Sequence, residues 1–160
     1  MKEINIDTKA FVYEDINELT DVDKNLMQAA IKVAINAYAP YSGFSVGAAL
    51  LMEDDSIITG NNQENAVYPS GMCAERVAIW KAGSSFPNKK VKKIAITAIS
   101  SHKKVDRPVG PCGSCRQTLL EYEINQSENI EIMFKGEVGK VVKTNSIASL
   151  LPFSFDNSFL

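Results

Sequence analysis

The residues able to do chemistry in this 160-residue chain are its three cysteines, a glutamate and an arginine. Cys73 opens the run Cys73-Ala74-Glu75-Arg76, and the other two stand in Pro111-Cys112-Gly113-Ser114-Cys115-Arg116-Gln117. All three cysteines fall where loop composition gives way to helical spacing. A thiol at a helix N-terminus faces unpaired N–H groups and the positive end of the dipole, which favour its thiolate. Three such thiolates suit a tetrahedral zinc with one position left for water, the arrangement of a hydrolytic site. Other readings stand beside it. A buried cysteine serves as a small hydrophobe, Cys-x-x-Cys serves as a redox pair, and His102 would supply a fourth ligand to a structural zinc. Glu75, two positions after Cys73, lies beside the ligand on the first helical turn. There it either moves protons for a water activated by the metal or complements the helix dipole. Arg76 offsets the negative charge of a three-thiolate site, or is a surface arginine.

Composition bounds the rest. At 17.5 kDa, with 45% hydrophobic and 22% charged residues, the chain reads as one domain. Such a chain buries about 70% of its unfolded surface and folds without disulfides. The odd cysteine count excludes a fully paired framework. A net charge of −2 argues against a protein that coats nucleic acid. A single histidine leaves no two-His metal site. The longest apolar runs, such as Ala48 to Met52, fall far short of the roughly 18 residues of a membrane span. Met1 to Asp7 lacks the apolar core of a signal peptide. The expected location is cytoplasmic and reducing, without membrane attachment.

The elements that must carry these residues follow from patterning. Residues 1–20 read as an extended or partly ordered arm ahead of a single domain at 21–160. A first helix, capped by Asp21 or Asp23 and stopped by Pro40, carries Leu26, Met27, Ala30, Ile31, Val33 and Ala34 at helical spacing. Phe44 to Met52 and Ser56 to Gly60 read as a hairpin across Glu53-Asp54-Asp55. Asn61 to Gly71 is loop. A helix runs from Cys73 to Ala82 and is closed by Gly83. A lysine-rich connection from Asn88 to Lys93 leads to a strand at Ile94–Ile99. The loop Ser101 to Pro111 precedes a helix from Gly113 to Ile124. Strands at Ile130–Phe134 and Lys140–Thr144 follow, then a short helix from Ser146 to Leu151. Five strands with interleaved helices predict an α/β sandwich.

The two cysteine runs together resemble the zinc signature of cytidine deaminases, Cys or His followed by x-Glu and then Pro-Cys-x-x-Cys. The Cys-Ala-Glu-Arg form is similar to the small homotetrameric enzymes of nucleoside salvage. Tyr41-Ser42-Gly43-Phe44-Ser45-Val46-Gly47-Ala48-Ala49-Leu50 resembles that family's strand entering the site. Gly60-Asn61-Asn62-Gln63-Glu64-Asn65-Ala66-Val67-Tyr68-Pro69 resembles its nucleoside loop, and Leu150-Leu151-Pro152-Phe153-Ser154-Phe155 also fits. The resemblance implies a three-layer α/β/α fold with a five-stranded mixed sheet. It implies one zinc per chain on Cys73, Cys112 and Cys115, with Glu75 as proton shuttle and Arg76 balancing charge. Asn62 and Glu64 would hold ribose hydroxyls, Phe44 would pack near the pyrimidine, and the Ala74 N–H would meet its carbonyl. Tyr68 and Phe155 would reach a neighbouring subunit's site in a homotetramer. The implied reaction is hydrolytic deamination of cytidine and deoxycytidine, without an organic cofactor and without nucleic acid or membrane partners. A sister deaminase acting on blasticidin S, a nucleotide or a base in a polynucleotide is the alternative. The leading 20 residues, Gln63, Val67 and the long span between the cysteine runs depart from the family pattern.

Overall fold

The computed structural model describes all 160 residues. Six strands form one sheet: β1 (Phe11–Tyr13), β2 (Phe44–Met52), β3 (Ile57–Asn61), β4 (Val91–Ser100), β5 (Glu131–Lys135) and β6 (Val141–Thr144). Their order is β1-β6-β5-β4-β2-β3. Only β4 and β5 run parallel, and helix α3 (Gly113–Gln126) connects them. Helices α1 (Asp21–Ala34) and α2 (Ala74–Ser85) complete the three layers.

Side chains alternate along each strand, so one sheet supplies two cores. Ala48, Leu50, Met52, Ile94, Ile96 and Ile132 face α2 and α3, where they meet Ala78, Ile79, Leu119 and Leu120. Ala49, Leu51, Ala95, Met133 and Val141 face α1 through Leu26, Met27 and Ala30. Each fully buried Leu or Ile contributes about 1.5–3 kcal/mol. Glycines set how closely the helices lie. A Cβ at Gly47 would fall 2.1 Å from the Ala30 carbonyl, and one at Gly60 would fall 2.5 Å from the Ala78 nitrogen. Both helices therefore rest against strand backbone.

The sheet has six strands, not five. The sixth comes from the expected arm: Phe11 to Tyr13 pairs antiparallel with Val141 to Lys143 on β6. Three residues are too few for periodicity to show. The free edge of β6 supplies the hydrogen-bond partners that order them. Other boundaries also shift. Thr20, not Asp21 or Asp23, caps α1, and its hydroxyl accepts the Asp23 N–H at 3.2 Å. That helix ends at Ala34, well before Pro40. Helix α2 passes through Gly83 to Ser85. Gly83 is there for packing, since a Cβ would come within 2.5 Å of the Tyr122 hydroxyl on α3. The final helix is a single 3-10 turn, Ala148–Leu150.

Part of the lysine-rich connection lies inside β4. Its cations are all paired: Lys89 with Asp54, Lys90 with Glu128, Lys92 with Asp55, and Lys93 with Asp23 and Glu131. Asp23 is 2% exposed and accepts from Lys93 at 2.7 Å and Lys143 at 3.0 Å. Burial pushes its carboxyl up, but the two lysine hydrogen bonds outweigh burial and hold it below the ordinary value. A depressed carboxyl stabilises the fold above its unfolded pKa, near 3.9, and loses that contribution as pH falls through the folded value. Asp23→Asn should cost about 2 kcal/mol at pH 7, because Lys93 and Lys143 lose a charged hydrogen-bond partner and keep only Glu131. In urea titrations the gap from wild type should narrow as pH falls below the unfolded value near 3.9. A gap independent of pH would contradict an electrostatic role.

Candidate active site

Cys73 and Cys112 occupy the N-cap positions of α2 and α3, with extended backbone. Neither thiol caps its helix, so both sulfurs are free to turn toward each other. Cys115, one turn into α3, is fully buried. The Cys73 and Cys112 sulfurs lie 4.0 Å apart, and those of Cys112 and Cys115 lie 3.4 Å apart. All three fall within 4.8 Å of one another. Zinc–sulfur bonds of about 2.3 Å at tetrahedral angles place sulfurs about 3.8 Å apart, so the donors fit zinc. His102 is not part of this set. Its ring instead lies by Gly43, where a Cβ would come 2.8 Å from Nε2. The thiols are free rather than bridged.

The sulfur cluster polarises its neighbours. The Cys73 thiol is held down at about 5, first by its hydrogen bond with Cys115 and then, against burial, by Arg76. The same hydrogen bond and then burial push the Cys115 thiol up. Arg76 Nη2 donates to Cys73 Sγ at 3.5 Å, and its guanidinium lies over Trp80 at 5.8 Å from the ring centre. Glu75 is 5% exposed. Burial, aided by the Cys73 charge, raises its carboxyl above the ordinary value. Ala74 is buried, and its N–H lies in the first helical turn, where no intrahelical acceptor exists.

A cavity of about 840 Å³ joins Cys73, Cys112, Glu75 and Arg76 to Phe44, Asn62, Glu64 and Tyr68. Asn62 Oδ1 accepts the Val46 N–H at 2.7 Å, and its Nδ2 donates to the Phe44 carbonyl at 2.9 Å. Glu64 accepts the Tyr41 N–H at 2.9 Å and the Ser42 N–H at 3.2 Å. The Ser42 hydroxyl donates to its other oxygen, and that bond is the main reason its carboxyl lies low. Tyr68 stands at the cavity, 78% exposed, edge-on to Tyr41 at 6.4 Å. Phe155 lines no part of the cavity. It is exposed, stacks on Phe159 at 5.5 Å, and its carbonyl accepts from Gln117 at 2.8 Å.

Sequence reasoning left out several cavity residues: Ser42, Met72, Val109 and Gly110. Ser42 sits in a quoted block, beside a glycine and two residues before Phe44, which is the spacing of a serine turn. Val109 and Gly110 lie in a loop without periodicity and left no such signal.

Residues 20–128 match the family described as the cytidine and deoxycytidylate deaminase zinc-binding region. The chain belongs to this family. A cytidine deaminase of Sporosarcina psychrophila is 39% identical over 141 residues, covering 88% of this chain and 95% of that one. One from Halalkalibacterium halodurans is 38% identical over 130 residues, covering 81% and 91%. The crystal structure of the Burkholderia pseudomallei cytidine deaminase superposes with a TM-score of 0.72 at 34% identity, covering 86% of this chain and all of that one. Zinc is the family's metal, and Cys73, Cys112 and Cys115 are the residues here able to hold it.

Proposed function

We propose that the protein converts cytidine and deoxycytidine, with water, to uridine and deoxyuridine and ammonia. The observation that carries this reading is the convergence of three cysteine sulfurs, two of which line one cavity together with a buried Glu75. Zinc held there supplies a Lewis acid that lowers the pKa of water. The work of the chain itself is proton transfer and positioning. Glu75 receives the first water proton and gives it to ring N3 as oxygen bonds to C4. It then carries the second proton to the departing amine. A carboxyl raised by burial suits both directions of transfer near neutral pH. The Ala74 N–H meets the pyrimidine carbonyl, and Phe44 packs on the ring. Arg76, in contact with Cys73, offsets the charge of the thiolates.

Asn62 and Glu64 are the sugar-binding pair in this reading. Glu64 keeps its negative charge at neutral pH, so a phosphate beside it is repelled, which favours nucleosides over nucleotides. The lysines at positions 89, 90, 92 and 93 are all paired with carboxylates, so that stretch offers no free basic stripe to a polynucleotide. The setting is pyrimidine salvage in the cytoplasm. No helix is long and apolar enough to cross a membrane. Residues 21–160 make up the deaminase domain, and residues 1–20 an arm added to its sheet.

Purified protein, followed by absorbance, should turn over cytidine and deoxycytidine. Cytidine monophosphate and blasticidin S should be at least about a hundredfold slower. Glu75→Gln should keep one zinc per chain and lose about a thousandfold in kcat, within the usual range for a general acid–base group. Near-normal turnover by that variant would overturn the role of Glu75.

The assembly in this reading is a homotetramer with shared sites. Tyr68 and Phe155 are exposed in the single chain, as residues serving a neighbour's cavity would be. Gel filtration should give a tetramer. A fully active monomer would contradict the sharing.

A further inference from the structure

Ser42 makes three hydrogen bonds to two residues of the cavity wall. Its hydroxyl donates to one oxygen of Glu64, its N–H donates to the other at 3.2 Å, and its Oγ accepts the Phe44 N–H at 3.0 Å. The Phe44 carbonyl is held in turn by Asn62 Nδ2 at 2.9 Å. The backbone of Phe44 is therefore gripped on one side through Ser42 and on the other by Asn62. Gly43 makes this turn possible. Its φ of +60° bends the chain so that the hydroxyl reaches two residues ahead, and a Cβ there would fall 2.2 Å from Ser101 Oγ.

The acceptor count on Glu64 sharpens the point. An ionised carboxylate offers about four acceptor positions. The Tyr41 N–H, the Ser42 N–H and the Ser42 hydroxyl occupy three of them. That leaves one position, on Oε1, of a residue that lines the cavity. Glu64 is half-buried at the cavity, and Ser42 contacts both of its oxygens, which fixes the rotation of the carboxylate.

We propose that Ser42 is a positioning residue that aims the last free acceptor of Glu64 at a sugar hydroxyl and locks it in register with Phe44. The proposal rests on the reading that Glu64 meets the sugar. It assigns Ser42 no contact with the reacting atoms. Its loss acts on sugar recognition and not on proton transfer.

The test compares cytidine with 2′,3′-dideoxycytidine, which lacks both hydroxyls on the lower edge of the sugar. Ser42→Ala should lower kcat/KM for cytidine about tenfold, mostly through KM, as loss of one hydrogen bond to a charged group does. For 2′,3′-dideoxycytidine the same variant should stay within about twofold of wild type. Ser42→Thr, which keeps the hydroxyl, should restore cytidine turnover. Zinc content and melting temperature establish that Ser42→Ala is folded and loaded. Equal penalties on both substrates, or none on cytidine, would overturn the proposal. Glu64→Ala separates the two levels. If it abolishes the preference for cytidine over the dideoxy compound while Ser42→Ala leaves that preference intact, Ser42 is not the positioning group and the Glu64 reading stands. If Glu64→Ala leaves the preference intact, the Glu64 reading falls and the proposal falls with it.

Discussion

Cys73 and Cys112 end two loops at the N-termini of two helices, and their sulfurs come within 4.0 Å only because both helices pack on the same face of the sheet. That convergence demands close packing at several points. Gly60 lets α2 rest on β3, since any Cβ would strike the Ala78 nitrogen and the Ala74 carbonyl. Gly83 lets α2 approach Tyr122 of α3. On α3, Arg116 donates to the Pro111 carbonyl at 2.9 Å and the Leu150 carbonyl at 3.0 Å, tying the residue before Cys112 to the C-terminal turn. Glu123 accepts from Ile130, Ser146, Ile147 and Ala148, so the same helix holds the chain's last segment. Two dipoles and Arg76 meet where the thiolates gather, which offsets their repulsion.

Two carboxyl groups in one cavity shift in opposite directions, and the shifts follow from their surroundings. Glu75 is buried against the helix and is raised. Glu64 is half-buried, accepts three hydrogen bonds and is lowered. Groups pushed apart in this way take different roles. The raised one exchanges protons, and the lowered one remains a fixed charge and acceptor.

Much of this could be read before any coordinates. The strand Phe44–Met52 has the predicted ends because its mostly apolar run is stopped by three acidic residues. The cysteine runs were readable because metal ligation needs particular residue types at particular spacings. Other features depend on the fold and leave no local trace. The pairing of Phe11 to Tyr13 needs the edge of β6, more than a hundred residues away in sequence. Gly83 looks like a helix terminator until Tyr122 is placed beside it. Lys89, Lys92 and Lys93 read as part of a connection until Asp23, Glu131 and the hairpin aspartates meet them. Ser42 passed as part of a block because its partner Glu64 lies 22 residues on.

The central claim is a zinc held by three thiolates with its fourth position open to water. X-ray absorption at the zinc edge tests it most directly on the zinc-loaded protein in solution. Three sulfur neighbours at about 2.3 Å and one oxygen neighbour at about 2.0 Å are expected. Four sulfurs, or three sulfurs with the multiple-scattering pattern of an imidazole, would contradict it and mark the site as structural.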